Sequence, residues 1–205
     1  MSDDHRFREN AMLSRAIDGS LVVVLRIDEP LGAGDAQPLV EDARAFNARA
    51  IWVFGGTAEL GPGFTPTGGY VRFEAQAPPP PLLLPSPPRH GIRELQTTCF
   101  AGVWGRYETV SPDPVCSYVG LRERGRWVGI CQVHLVARWI DGPGVHPMLR
   151  SPERSAQLVR GAAAYLPRNR PVTLETWGDS PETLEAYQRL GFEVVEEIPG
   201  WELRL

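Results

Sequence analysis

Few side chains in this sequence can do covalent chemistry, and the missing ones narrow the field first. All 21 basic residues are arginine; there is no lysine. Schiff-base catalysis and a phosphate-gripping P-loop both need a lysine ammonium, so neither is open to this chain. The three cysteines, Cys99, Cys116 and Cys131, are odd in number and widely spaced, which fits neither a disulfide framework nor a zinc site. Cys131 lies in the apolar run 128–133 and reads as a small core residue. A nucleophilic thiol would need a base beside it, and His134, three residues on, falls on the other face of any strand through Cys131. His134 and His146 are too isolated to suggest a metal site, and no metal is expected. Trp104, Trp127, Trp139 and Trp177 can fill a core or line a pocket. Arg122, Arg124 and Arg126 read as a solvated hairpin tip.

A chain of 205 residues, 42% hydrophobic and 22% charged, can bury the core of one large domain or two small ones. Its net charge of −4 argues against a general nucleic-acid binder, which carries a basic stripe. No apolar run approaches a membrane span, and Met-Ser-Asp-Asp-His lacks the basic-then-apolar form of a signal peptide. The expectation is a cytoplasmic protein with neither membrane nor nucleic acid as partner.

The clearest local structure lies at 180–195. Ser180 can cap a helix, Pro181 suits its first position, and Glu182 sits near the positive end of the helix dipole. Leu184, Tyr187 and Leu190 share a face. Gly191 is placed to stop the helix in the left-handed conformation, with Phe192 folding back on Tyr187. From Phe192 the period changes to two, the mark of a strand.

Tyr-x-x-Leu-Gly-Phe after a capped turn resembles the last helix and strand of the GNAT acyltransferase superfamily. The resemblance implies that Tyr187 faces the sulfur of coenzyme A and protonates the departing thiolate. Many members carry Asn seven positions before the tyrosine, where this chain has Ser180. A second stretch, Val145-His-Pro-Met-Leu-Arg-Ser-Pro-Glu-Arg-Ser155, resembles the family's cofactor loop, Val-x-Pro-x-x-Arg-Gly-x-Gly-x-Gly. Val145, Pro147 and Arg150 match. The three glycines are replaced by Ser151, Glu153 and Ser155. In the family, backbone amides of this loop and the helix dipole hold the pyrophosphate. A carboxylate there is repelled by phosphate, and its Cβ limits backbone approach. Arg154 can offset the charge if it turns inward. Ser151-Pro-Glu-Arg is also an ordinary helix start.

The strand before the loop would carry the base that deprotonates the acceptor amine. Asp141 is the best placed carboxylate, although Asp141-Gly142 also reads as a turn, and Glu175 on the next strand is the second candidate. Pro143 has no N–H and argues for an edge or bulge.

Seven prolines between 75 and 88 form an extended connector. They divide an N-terminal α/β half, 1–74, from a GNAT-like domain, 91–205, with 75–90 as linker. In the second part we expect a strand at 91–96, a helix or loop through Phe100, Val103, Trp104 and Tyr107, and a hairpin of 116–121 with 127–135. A helix through Val159, Ala162, Ala163 and Leu166 then leads to a strand at 172–177 and the 180–195 helix and strand. The first part faintly repeats the second: helix 36–46, strand 51–54 and strand 69–74 suggest a degenerate half-copy. The fold class expected is α/β, a GNAT-like mixed, mostly antiparallel sheet flanked by helices, plus a smaller α/β half. The resemblance implies transfer of acetyl from acetyl-CoA to a small-molecule or peptide amine by direct attack. Tyr187, Asp141 and Glu175 would be catalytic; Val145, Arg150, Ser151, Arg154, Ser155 and Ser180 would bind the cofactor. A homodimer is possible. The rival reading is a catalytically inactive GNAT-fold module for binding, regulation or dimerisation.

Overall fold

The computed structural model describes residues 5–8, 11–15, 21–26, 33–55, 63–100 and 115–205. The expectations for Val103, Trp104 and Tyr107 lie outside these residues. The chain divides into two compact units, one of 1–70, 104–108 and 198–205, the other of 71–103 and 109–197.

In the first unit β1 (His5–Arg8), β2 (Ala11–Arg15) and β3 (Leu21–Arg26) form an antiparallel meander. Helix α1 (Ala33–Ala45) then carries the chain to β4 (Ala50–Phe54), which lies parallel to β3. A parallel neighbour requires such a crossover. β4 pairs on its other side, antiparallel, with 200–204 of the last strand. Leu39 and Ala43 of α1 close over Ile51 and Val53, all buried. The first thirty residues thus contribute three strands that sequence periodicity did not single out.

The second unit receives the end of β5 (Thr65–Ala75) and continues with α2 (Ile92–Cys99), β6 (Cys116–Glu123), β7 (Arg126–His134), β8 (Trp139–Asp141) and β9 (Gly144–Val145). Then come α3 (Pro152–Ala163), β10 (Val172–Trp177), α4 (Pro181–Arg189) and the start of β11 (Glu193–Arg204). β6 and β7 pair antiparallel, as do β7 and β8, while β8 and β10 run parallel. The sheet is mixed and mostly antiparallel, with helices on it, as expected.

Residues 91–96 are not a strand. Ile92, Leu95, Gln96 and Cys99 are the buried residues of α2, and they recur at i, i+3, i+4 and i+7. The spacing of Ile92 and Leu95 was helical all along; a six-residue window was too short to separate the two periods. The hairpin is as expected: Arg124 and Gly125, both with positive φ (47° and 82°), make the two-residue turn that matches strand twist. The break foreseen at Pro143 also occurs, between β8 and β9.

The proline-rich segment is extended, and it is bonded into the second unit. Leu82 N–H donates to the Arg160 carbonyl, Gly120 N–H to that of Pro85, and Arg160 Nε to that of Pro80. Leu84 lies so close to Gly161 that a Cβ there would come within 2.5 Å of its Cδ1. Prolines lack a donor, so their carbonyls are bonded by outside groups instead.

Helix α4 ends as its sequence requires. Gly191 has φ +95°, Phe192 N–H donates to the Tyr187 carbonyl and Gly191 N–H to that of Gln188. Those two bonds define a Schellman cap. An added Cβ would meet nothing within 4 Å, so conformation alone decides the cost of changing this glycine. Gly191→Ala is therefore expected to lose about 1–2 kcal/mol, read from the denaturation midpoint. An unchanged midpoint would show that the left-handed residue does not limit stability.

Candidate active site

Alternation sorts the second unit's chemistry onto two faces of its sheet. Val172 and Leu174 of β10, Ile140 of β8 and Val133 of β7 belong to one core with Leu158 of α3 and Tyr187 of α4. Their strand neighbours point the other way, toward the face that α2 covers. The register places Thr173, Leu174 and Glu175 opposite Trp139, Ile140 and Asp141. Asp141 and Glu175, the two carboxylates proposed as bases, are thus register partners on the α2 face, both partly exposed.

Pairing of β8 with β10 ends at that carboxylate pair. Past it, Gly144 and Val145 pair with β7, at Ile130 and Gly129. The pairing of the two parallel strands stops here, with Gly142 still packed against Thr176, the first residue of β10 beyond the last pair. Its side chain is fully buried, and its hydroxyl has no hydrogen-bond partner. Phe100, after α2, packs its ring over Gly144; a Cβ there would come within 2.7 Å of it.

Tyr187 reaches this region from α4. It is 0% exposed, and its phenol donates to Asp179 Oδ2 at 3.1 Å. Ser155, buried beside it, acts on the phenol as a hydrogen-bonding neighbour that lowers its pKa. Burial first, then the charge and the hydrogen bond of Asp179, push the phenol pKa well above the usual tyrosine range, while Ser155 acts in the opposite sense. With the folded pKa raised, the stabilisation is complete below the unfolded value of about 10 and is lost as pH rises toward the folded one.

The residues expected to meet phosphate have other partners. Arg150 turns back, donating from Nε to the Val145 carbonyl at 3.2 Å and from Nη2 to that of Cys99 at 3.3 Å. Burial lowers its pKa, and Asp179 acts against that. Arg154 clasps Glu123 of β6 through Nε and Nη2, at 2.7 and 3.2 Å, and donates from Nη1 to Leu149. Ser155 is buried against Tyr187, Val145 is buried in the core, and Ser180 caps α4 by accepting from Thr183 N–H. Ser151 caps α3, accepting from Arg154 N–H.

Glu153 is exposed in the first turn of α3. Hydrogen bonds from its own N–H and from Ser151, with Arg189 and Arg154 beyond, hold its carboxyl below the usual range. The carboxylate therefore sits as an internal anion on one of the amides, its own, that a helix start offers to an outside one. Arg154 was expected to offset Glu153 by turning inward; its guanidinium is instead bonded to Glu123, and it acts on Glu153 only weakly through charge. Sequence reasoning missed Asp179, whose signal was its place one residue before the Ser180 cap, and the inward turn of Ser155.

No protein-family model matches the sequence, and no curated protein matches it. Solved structures do. A protein from Novosphingobium aromaticivorans assigned to the GNAT family superposes with a TM-score of 0.52 at 15% identity, over 97% of this chain and 90% of that one. A GCN5-related N-acetyltransferase from Sphaerobacter thermophilus gives 0.52 at 17% identity, over 98% and 82%. A functionally unknown conserved protein from Staphylococcus epidermidis gives 0.53 at 11% identity, over 100% and 95%. The chain has the GNAT fold. At this identity the likeness establishes architecture, while activity has to be argued from the side chains.

Proposed function

We propose that this protein is an N-acetyltransferase that moves an acetyl group from acetyl-CoA to an amine by direct attack. The supporting observation is a buried phenol, held protonated, near the point where the pairing of two parallel strands ends. The donor supplies an acyl group activated as a thioester. Thr176, Ser151 and the first amides of α3 would hold it, the orphan Thr176 hydroxyl being the best sign of fit. Tyr187 keeps its proton at Oη until a thiolate needs it, and Asp179 fixes the phenol. Asp141 or Glu175 takes the amine proton on the other face. Acid and base then lie on opposite faces of the sheet, so separate groups serve the amine and the departing thiolate.

Glu153 favours a second reading, a GNAT-fold module without catalysis, because its carboxylate already takes its own amide and the Ser151 hydroxyl at the helix start that a diphosphate would use. Titration calorimetry with acetyl-CoA separates the two. Binding is expected, tightened roughly fivefold in Glu153→Gln at low salt and less at high salt, the effect of removing one charge about 4 Å from another in water. No heat at millimolar ligand in either protein would sink the acyltransferase reading.

A further inference from the structure

The α2 face carries a second group of reactive side chains, away from Tyr187. Cys116 opens β6 and is paired in register with His134 on β7. Their Sγ and Nδ1 are 3.1 Å apart. The Gln132 amide nitrogen lies 3.0 Å from His134 Nε2 and donates to Cys116 Sγ at 3.4 Å. Trp139 of β8 stacks on the imidazole, with ring centroids 4.6 Å apart and planes 15° from parallel.

We infer that Cys116 is a reactive thiol, activated by His134 and held by Gln132, that exchanges with low-molecular-weight disulfides. A thiol, a base in hydrogen-bond reach and a third group orienting that base make up the general plan of an activated nucleophile. An amide nitrogen only donates, so His134 Nε2 accepts from it and Nδ1 carries the ring proton toward sulfur. The sulfur then receives two donors, which favours its thiolate. The Gln132 side chain is 3% exposed, yet its carbonyl oxygen has no partner. A half-turn of the amide takes its nitrogen off the sulfur and lets that oxygen accept Nε2–H; Nδ1 then takes the thiol proton, and the imidazolium N–H is the one donor left to the thiolate. The orphan oxygen thereby acquires a use: it holds the imidazolium.

Cys116 and His134 are both partly exposed, so a small disulfide can reach them. The other charged or titratable groups on elements around the pair are Tyr118, Arg122 and Glu123 on β6, Arg126 and Cys131 on β7, Asp141 on β8 and Arg138 in the turn before it. Arg93 and Glu94 of α2 are exposed. The remaining thiols are not competitors. Cys131 is buried, and burial pushes Cys99 up to about 12. In the reaction, the Cys116 thiolate attacks one sulfur of the reagent, the reagent S–S bond breaks and a new one forms to Cys116. The expelled thiolate takes the proton from His134. With no second reactive thiol among the described residues, the mixed disulfide persists. Exchange passes through no oxyanion, so it needs no oxyanion-stabilising donors.

Peptide mapping after incubation with oxidised glutathione, together with iodoacetamide alkylation of Cys116 across pH, tests the assignment. One adduct is expected, at Cys116, with an alkylation midpoint at least one unit below the ordinary thiol value of about 8.5. His134→Ala should return that midpoint to about 8.5 and slow exchange near pH 7 only roughly threefold, because a less basic thiolate is also a poorer nucleophile. Gln132→Leu should raise the midpoint as well. Adducts spread over the three cysteines, or a midpoint indifferent to His134→Ala, would overturn the proposal. If neither variant folds, a wild-type midpoint of about 8.5 overturns it alone.

Discussion

Phe73→Ala is expected to destabilise the second unit by about 3–5 kcal/mol, the range for emptying a fully buried aromatic site. Phe73 is 0% exposed on β5 and meets two rings edge-on: Tyr187 at 5.8 Å and 84°, Phe192 at 6.5 Å and 77°. Those two rings bracket the Gly191 cap, so one side chain supports both the end of α4 and the start of β11. Truncation removes buried surface and both aromatic pairs, and the flanking backbone is held by the cap bonds and cannot collapse into the gap. Urea denaturation should show a lower midpoint with an unchanged slope. Phe73→Leu, which keeps most of the volume, should lose clearly less. A loss under about 1 kcal/mol for the alanine variant would mean that this site is not close-packed.

Tyr187→Phe carries the largest expected effect on activity. If the phenol is the acid, turnover should fall by about a hundredfold or more while the Michaelis constant for the donor hardly moves, because a proton donor acts in the transition state and not in binding. The change removes one oxygen from a buried ring, so packing against Phe73 is kept. A second readout separates chemistry from structure. Wild-type stability should decline above about pH 10, where the unfolded tyrosine ionises and the buried one resists. The part of that decline due to Tyr187 should vanish in the phenylalanine variant. Unaltered turnover would remove Tyr187 from the mechanism and leave Asp179 as its purely structural partner.

What was legible beforehand was local. The Ser180 and Ser151 caps, the Gly191 stop, the Arg124-Gly125 turn and the break at Pro143 each depend on a few adjacent residues, whose conformational limits travel with them. Helix α2 was the exception, misread because its stripe needs two turns to declare itself. The carboxylates Asp141 and Glu175 were named one by one; their pairing in register depends on how β8 and β10 align. Arg150 was chosen for its position after Val145. Its guanidinium finds the carbonyl at the end of α2, a helix about fifty positions earlier in the chain.

The thiol pair shows the division most sharply. Composition excluded lysine chemistry, and strand alternation correctly separated Cys131 from His134. A two-residue turn continued without interruption would set Cys116 opposite Val133, on the buried face. The register shift between Leu121 and Arg122 sets it opposite His134 instead. One extra residue in one strand flips which side chains meet, and nothing local announces it, since its energy is settled by packing across the whole sheet. Short-range stereochemistry can therefore be read along the chain, whereas meetings between distant residues exist only once the strands have aligned.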